Sequence, residues 1–231
     1  MVVFGGGTLA GDLFDAASAA GYRAVIVQDL DGVRQDGAQA DIAIEACVAD
    51  RHHKHDALAA FGSVLGPNAV LLADALPDTV AECAVWSGHA RRCVGYGVVG
   101  HLDDQRVVEI ARGAHTDVDA VERSAAFFAD LGHETRAIGD RPGLISGRTL
   151  AALANEAAWV VGAGVASAED VDRAMRLGTN YPRGPLAWAR EIGVRRIVDI
   201  LENVCRHEGA AYAPAPLLLE MAGLASGENL T

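Results

Sequence analysis

The sequence predicts an α/β protein in which a parallel sheet flanked by helices is followed by an all-helical region. Short apolar runs alternate with helical spacing over the first 140 residues, three glycines follow the first of these runs, and no strand-like run follows Asp140. Strands that alternate with helices imply right-handed crossovers and a mostly parallel sheet. We therefore expect one domain at residues 1–140 and a helical domain at residues 141–231.

Five apolar or β-branched runs are the predicted strands of the first domain, at residues 2–4, 24–27, 41–45, 69–72 and 93–96. Helical spacing predicts the intervening helices at residues 9–20, 54–65, 79–86 and 118–131. Gly21 is expected to close the first helix, because glycine adopts the left-handed conformation that ends many helices. Asp41 follows Asp29 by only twelve positions.

The second domain is predicted to contain helices only. They are expected at residues 144–162, after Ser167, and at 186–192, 194–207 and 216–224. Ser167, with Asp170 three residues on, predicts a helix N-cap, and Gly178 is expected to stop that helix. Trp159 and the three leucines at 217–219 are expected in the core or at an interface.

Charge and cysteine spacing exclude several classes of function. A net charge of −12, from 19 basic and 31 acidic residues, argues against nucleic acid, whose phosphates need Lys and Arg. The four cysteines show no C-x-x-C spacing, so neither a disulfide framework nor a metal site is expected. No apolar run is long enough to cross a bilayer and no signal peptide is evident, so we expect a cytoplasmic protein.

Histidines and cations cluster at residues 51–55, where Lys54 stands among three histidines. Only side chains three or four residues apart share a helix face, so this spacing is poor for a metal. We interpret the cluster as a solvated helix start.

The glycine run has the form of a phosphate-binding loop. Gly5, Gly7 and Ala10 fit G-x-G-x-x-A between a strand and a helix, as in Rossmann-type dinucleotide-binding domains. Asp29 follows the second strand 19 residues beyond Ala10, where a carboxylate binds an adenosine ribose and favours NAD over NADP. The alternative is that the glycines serve only packing and that Asp29 is a solvated strand end. Asp12 favours that alternative, since a carboxylate near the pyrophosphate would repel it.

The second half resembles the C-terminal domain of the 3-hydroxyacyl-CoA dehydrogenases. The matching stretches are residues 141–145, 155–157, 164–172, 174–178 and 180–188. The run from Tyr181 to Trp188 is especially similar to the C-terminal part of the long 3-hydroxyadipyl-CoA dehydrogenases. The first half resembles the family's NAD domain through the glycine loop and residues 40–46 and 107–113.

The resemblance implies hydride transfer from a 3-hydroxyacyl-CoA to NAD, with a His as base, a Glu that orients it, and a Ser and an Asn that hold the substrate oxygen. In this sequence the His position falls on Gly97, the Asn position falls on Gly147, and the Ser lies in the segment that falls on residues 73–77, which contain no serine. Glu109, twelve residues after Gly97, matches the family's Glu and is the one catalytic candidate. His101 is interpreted as a surface histidine.

The interval after Asp29 is also too short for the helical hairpin with which the family holds CoA. Two hypotheses follow. In the first, the chain binds NAD and an acyl-CoA-like ligand and acts on an altered substrate. In the second, it is a non-catalytic dimerisation or regulatory module of a longer or partner dehydrogenase. The resemblance also implies a homodimer formed through the helical domain.

Overall fold

The computed structural model describes residues 1–47 and 51–225. Contacts divide the chain into two compact units, residues 1–144 and residues 145–231. The first unit is an α/β sheet domain and the second is helical in its described part, as the sequence predicts. Within the described residues, no helix is long and apolar enough to cross a membrane.

One sheet of seven strands organises the described part of the first unit. Its spatial order is β2-β1-β3-β4-β5-β6-β7. The strands are β1 Val2–Phe4, β2 Val25–Val27, β3 Ile42–Glu45, β4 Val70–Asp74, β5 Cys93–Gly97, β6 Val107–Arg112 and β7 Glu134–Gly139. All neighbouring pairs are parallel except β5 and β6. The predicted, mostly parallel sheet is therefore confirmed.

Five α-helices connect these strands, at α1 Thr8–Ala19, α2 Leu30–Gly37, α3 Arg51–Val64, α4 Val80–Ser87 and α5 Val118–Asp130. A capping box begins α4, where the Thr79 side chain accepts from Glu82 N and the Glu82 carboxylate accepts from Thr79 N. The single eight-residue helix α2 fills the interval between the second and third strands. A helical hairpin does not occur there.

The core of the sheet domain is apolar on both faces of the central strands. The residues of β4 and β5 are buried throughout, as expected where helices cover both faces of a parallel sheet. Phe127 and Phe128 on α5 pack with Tyr96 of β5 in the same core cluster. The buried strands thus hold their carboxyl ends in fixed positions.

The helical unit contains α6 Ser146–Gly162, α7 Ala168–Thr179, α8 Pro185–Ile192, α9 Val194–Glu208 and α10 Pro216–Ala225. The predicted N-cap is confirmed, since the Ser167 side chain accepts from Asp170 N. The prediction that Gly178 stops this helix was wrong: α7 continues to Thr179, and Asn180 ends it in the left-handed conformation with φ 57°. Asparagine tolerates this conformation better than most residues.

Polar contacts fix the helical unit internally. The buried Asn155 of α6 donates to Ala213 O at 3.0 Å and accepts from Ala215 N at 2.7 Å. Arg148 donates to both carboxylate oxygens of Glu208, and to the Tyr212 hydroxyl at 2.9 Å. These contacts tie α6 to α9 and to the segment that leads into α10.

Candidate functional site

Gly5 directly follows β1 at the carboxyl edge of the sheet, and this position requires glycine for two reasons. Its φ is 151°, which residues with a side chain rarely adopt. A Cβ there would lie 2.7 Å from Ala46 O and 3.0 Å from the Cβ of Ala10. Ala10 is fully buried, so the alanine of the motif supports the turn by its small size.

Gly7 has a different role, because nothing lies within 4 Å of where its Cβ would be. It is the N-cap of α1, has no side chain that caps the helix, and no acidic residue occupies the first turn. The first N–H groups of a helix have no partner within the helix and favour anions. The open space in front of α1 therefore fits a phosphate, and the loop fits the pyrophosphate of a dinucleotide.

Asp29 follows β2 and caps α2. Its Oδ1 accepts from Gly32 N at 2.7 Å, and the residue is exposed. One carboxylate oxygen thus orients the side chain while the other has no hydrogen bond within the described residues. The structure places Asp29 where a ribose would meet the end of β2 in a Rossmann domain.

The sheet order locates the crevice in which such a ligand would bind. The chain passes from β1 to β2 on one side of β1, and β3 then lies on the other side of β1. The strand order therefore reverses between β1 and β3, which is the topological switch point. The order equals that of a six-stranded Rossmann sheet without its outermost third strand, followed by two further strands. Gly5 and Asp29 both lie at this carboxyl edge.

Gly97 and Glu109 are direct neighbours across β5 and β6. A Cβ on Gly97 would lie 3.5 Å from the Cβ of Glu109, so the two positions share one face of the sheet. The same Cβ would lie 2.8 Å from Leu144 Cδ1 and 3.2 Å from Leu76 Cδ2. Two buried leucines therefore fill the volume beside Gly97. Glu109 is 8% exposed, a buried strand residue.

Leu144 is held in an uncommon backbone conformation, with φ 52°. For a residue with a side chain this conformation costs roughly 1–2 kcal/mol. Its side chain is 4% exposed, so packing beside Gly97 offsets that strain.

Asp12 and His101 form a second pair, between α1 and the segment after β5. Asp12 Oδ2 accepts from Leu102 N at 3.1 Å and lies 3.3 Å from Nδ1 of His101. The expectation that His101 is a surface residue is confirmed by its 56% exposed side chain. The Asp12 carboxylate is engaged by this segment, a contact that the sequence did not reveal.

A buried ionic cluster lies at the carboxyl ends of β3 and β4. Lys54 of α3 is 1% exposed; its Nζ donates to Asp74 O and lies 3.5 Å from Glu45 and 3.3 Å from Asp78. Glu45 accepts from Cys47 N at 2.6 Å and from Asp74 N at 3.2 Å. The interpretation of Lys54 as part of a solvated helix start was wrong, since these carboxylates and the carbonyl hold its ammonium in the interior.

Burial and mutual attraction set the charges in this cluster. Burial raises the pKa of Glu45 to about 7, although the Lys54 ammonium acts to lower it. Burial lowers the pKa of Lys54, but attraction to Glu45 and the other negative groups outweighs it, so the net pKa lies above the ordinary value. Burial also raises the pKa of Cys93 to about 12, which excludes it as a thiolate nucleophile at neutral pH.

A signal for this cluster was present in the sequence. Lys54 lies on the same helix face as Ala57, Leu58 and Phe61, which are all buried. Glu45 and Asp74 end apolar strands, where a carboxylate needs a cation or N–H donors. A lysine on an apolar helix stripe next to such strand ends predicts a buried ion pair. Among the described residues, no group of side chains could hold a metal ion.

Family models match both units of the chain. Residues 19–141 match the NAD binding domain of 3-hydroxyacyl-CoA dehydrogenase, and residues 143–227 match its C-terminal domain. The chain belongs to the 3-hydroxyacyl-CoA dehydrogenase family. The assignment that the sequence motifs predicted is confirmed.

Individual relatives of the 3-hydroxyacyl-CoA dehydrogenase family align over different lengths. A probable 3-hydroxybutyryl-CoA dehydrogenase of Deinococcus radiodurans is 31% identical over 227 residues, covering 95% of this chain and 80% of that protein. The 3-hydroxyadipyl-CoA dehydrogenase of Escherichia coli is 42% identical over 123 residues, which cover 53% of this chain and 26% of that longer protein. The crystal structure of (S)-3-hydroxybutyryl-CoA dehydrogenase PaaH1 from Ralstonia eutropha has a TM-score of 0.81 at 24% identity, covering 98% of this chain and 93% of that one. The structural likeness shows the shared fold.

Proposed function

We propose that this chain binds NAD at its glycine loop, binds an acyl-CoA-like ligand, and does not oxidise 3-hydroxyacyl-CoA at the normal rate of its family. NAD binding is supported by the open N-terminus of α1 at Gly7 and by the exposed carboxylate of Asp29. Gly5, Gly7 and Asp29 would hold the dinucleotide, Ala10 would keep the turn tight, and the bound NAD would supply the hydride acceptor.

The packing around Gly97 is the main support for the proposed loss of normal oxidation. In the family, as the resemblance implies, a His at this position is the base and the Glu opposite orients it. Here Leu76 and Leu144 fill the volume beside Gly97, and Glu109 faces a position with no side chain. A base must lie within hydrogen-bond reach of the substrate hydroxyl, and no side chain projects from this position to do so.

Two measurements test this function. Isothermal titration with NAD and with acetoacetyl-CoA should show binding of both, and absence of heat for NAD would overturn the first half of the proposal. Oxidation of NADH by acetoacetyl-CoA should be far below the usual enzyme range of roughly 1–1,000 per second. Turnover within that range would overturn the second half. A chain that binds but does not turn over would fit a regulatory or dimerising module of a longer or partner dehydrogenase.

A second candidate function is oxidation of an altered substrate with His101 as the base. The Asp12 carboxylate lies 3.3 Å from His101 Nδ1, which leaves Nε2 to accept a proton, as in carboxylate-oriented catalytic histidines. In this case Nε2 of His101 would take the substrate hydroxyl proton, and bound NAD would supply the hydride acceptor. Screening hydroxyacyl-CoA substrates with His101→Gln as the control tests it: any turnover must disappear in the variant while NAD affinity stays unchanged.

We also propose that the chain forms a homodimer through its helical unit. Apolar side chains are exposed there, with Trp159 at 47% and Leu219 at 46%. The two residues lie on α6 and α10, where Trp159 and Leu217 line a groove of about 380 Å³. Large apolar patches on a protein surface often mark the sites of protein–protein interfaces.

A further inference from the structure

The helical unit contains a second cavity, of about 620 Å³, between α7 and α8, and its lining combines charged and apolar side chains. Its lining includes Arg173 and Arg176 of α7, one turn apart, and Arg190 of α8. A volume of this size is typical of sites for nucleotide-sized ligands. The cavity lies wholly within the helical unit, whereas the glycine loop belongs to the first unit.

The three guanidinium groups have no described partner. Most arginines of this chain pair with a carboxylate or a carbonyl, as Arg183 does with Glu191 at 2.7 Å. Arg173, Arg176 and Arg190 have no hydrogen bond or ion pair from their side chains within residues 1–47 and 51–225. Three unpaired cations around one cavity, in a chain of net charge −12, form a local positive site for an anion.

The corner that carries the cavity is rigid. Asp172 of α7 accepts from Leu186 N at 2.8 Å and from Ala187 N at 2.9 Å, so its charge is engaged by the N-terminus of α8. A Cβ at Gly184 would lie 2.3 Å from Asp172, which makes glycine necessary at this close approach. The two helices are therefore held together independently of the arginines.

Glu169 is the remaining charged residue of the lining. With the Asp172 charge directed at backbone N–H groups, the cavity presents three positive charges against Glu169 as the one further negative side chain of its lining. Arginine guanidinium groups bind phosphate oxygens in a bidentate geometry and stay charged at all physiological pH values.

We propose that this cavity is a binding site for a di- or triphosphate group, separate from the glycine loop. The group that the site recognises is a chain of linked phosphates, which is present both in a nucleotide and in free pyrophosphate. The three arginines contact the phosphate oxygens, and the Asp172 clamp keeps α7 and α8 at the spacing that the contact needs.

Isothermal titration of the full chain with inorganic pyrophosphate, and separately with ADP, tests the proposal and distinguishes the two sources. The test variant is Arg173→Gln/Arg176→Gln/Arg190→Gln, since glutamine has nearly the same helix propensity as arginine. We expect pyrophosphate affinity to fall at least tenfold, because each charge-assisted hydrogen bond lost weakens binding by roughly that factor. Glu169→Gln should strengthen binding several-fold, an effect that a purely structural role would not produce.

The matched control is Arg23→Gln/Arg106→Gln/Arg141→Gln, which removes the same charge from exposed arginines of the first unit whose side chains have no described partner. It should leave pyrophosphate binding within about twofold. The glycine-loop variant Gly7→Asp should abolish NAD binding and leave the arginine-dependent pyrophosphate binding intact, so failure of one proposal is separable from failure of the other. In the Gly7→Asp variant, whose glycine loop no longer binds a nucleotide, ADP binding tighter than pyrophosphate would assign the site to a nucleotide.

Two results would overturn the proposal. The first is no pyrophosphate or ADP binding to the wild-type chain at millimolar concentration. The second is equal affinity in the wild-type protein and the Arg173/Arg176/Arg190 variant. If the variant with equal affinity also changes its mass in light scattering, the cavity is assigned to contact with a second copy.

Discussion

Gly97 lies directly opposite Glu109 in the antiparallel pairing of β5 with β6, and the space beside Gly97 holds the side chains of Leu76 and Leu144. The buried Glu109 side chain therefore faces a strand position that carries no side chain. In the 3-hydroxyacyl-CoA dehydrogenase family this pair of positions is the one to which the resemblance assigns the base and its orienting Glu. The first prediction tests whether the side chains of Leu76 and Leu144 fill the space beside Gly97.

Gly97→His should destabilise the sheet domain by about 1–3 kcal/mol, the typical effect of overpacking a core. The cause is the 2.8 Å approach of the new Cβ to Leu144 Cδ1. Adding Leu144→Ala should relieve part of the clash. Denaturant unfolding measures both, with Gly139→Ala as control, because nothing lies within 4 Å of a Cβ at Gly139. Equal stability of Gly97→His and the wild-type chain would show that the volume is not filled.

Asp29→Asn should weaken NAD binding about tenfold or more while the melting temperature stays the same. Asparagine is as good an N-cap as aspartate, so the bond to Gly32 N is retained, but the charged acceptor for the ribose is lost. Titration with NAD and a thermal melt give the two values. A fall in melting temperature with unchanged affinity would assign Asp29 to capping α2 alone.

Glu45→Gln should change how stability depends on pH between about 4.5 and 7. The pKa of Glu45 is raised in the folded chain to about 7 from its ordinary 4.5, so its contribution to stability is present below 4.5 and is lost as the pH rises through 7. Glutamine carries no such charge. Relative to the wild-type chain, the variant should therefore gain on the order of 3 kcal/mol between pH 4.5 and pH 8.

Thermal melts of both proteins across this pH range test the expectation. Parallel pH profiles for the two proteins would contradict it.

Lys54→Met should destabilise the protein by about 3–5 kcal/mol, because removing one partner of a buried ion pair leaves uncompensated charge. The carboxylates of Glu45 and Asp78 would lose the ammonium at 3.5 and 3.3 Å. Combining Lys54→Met with Glu45→Gln removes one of these charges and should recover part of the loss. Chemical denaturation at pH 8 gives all values, and a double variant no more stable than Lys54→Met would refute this account.

Trp159→Glu should dissociate the proposed homodimer, because a charge would enter an apolar contact between α6 and α10 of two copies. Sedimentation velocity should show the mass of two chains for the wild-type protein and of one for the variant. Val85→Glu serves as control, since Val85 is 79% exposed on the first unit. Sedimentation of the wild-type chain as a monomer would refute the proposed homodimer.

Sequence patterns predicted β1 to β5, which bury apolar runs, but they did not predict β6, although the four inner residues of that strand are buried. The apolar runs predicted β1, α1 and β4, and the glycine run at residues 5–7 marked the turn between β1 and α1. β7 was not predicted, because its residues are all exposed or half-buried and include charged side chains, as edge strands do. α2 was missed because it buries only Val33 and Gly37 and contains two glycines, which lower helix propensity.

The candidate site was predicted in part, for a physical reason. Gly5, Gly7 and Asp29 occupy positions that local backbone geometry sets, and spacing in the sequence encodes that geometry. The contact of Asp12 with His101 joins residues far apart in the chain, and the burial of Lys54 depends on three other elements. Such long-range contacts leave only weak local signals, so the motif was visible and the surrounding network was not.

The burial of Lys54 has a practical consequence for chemical labelling. The sequence contains no other lysine, so the folded chain exposes no lysine of this sequence to acylating reagents. Lys54 can be acylated only after α3 has separated from the strand ends. Counting acyl groups by mass spectrometry would therefore report directly how often this domain opens, with neither a mutation nor an attached dye.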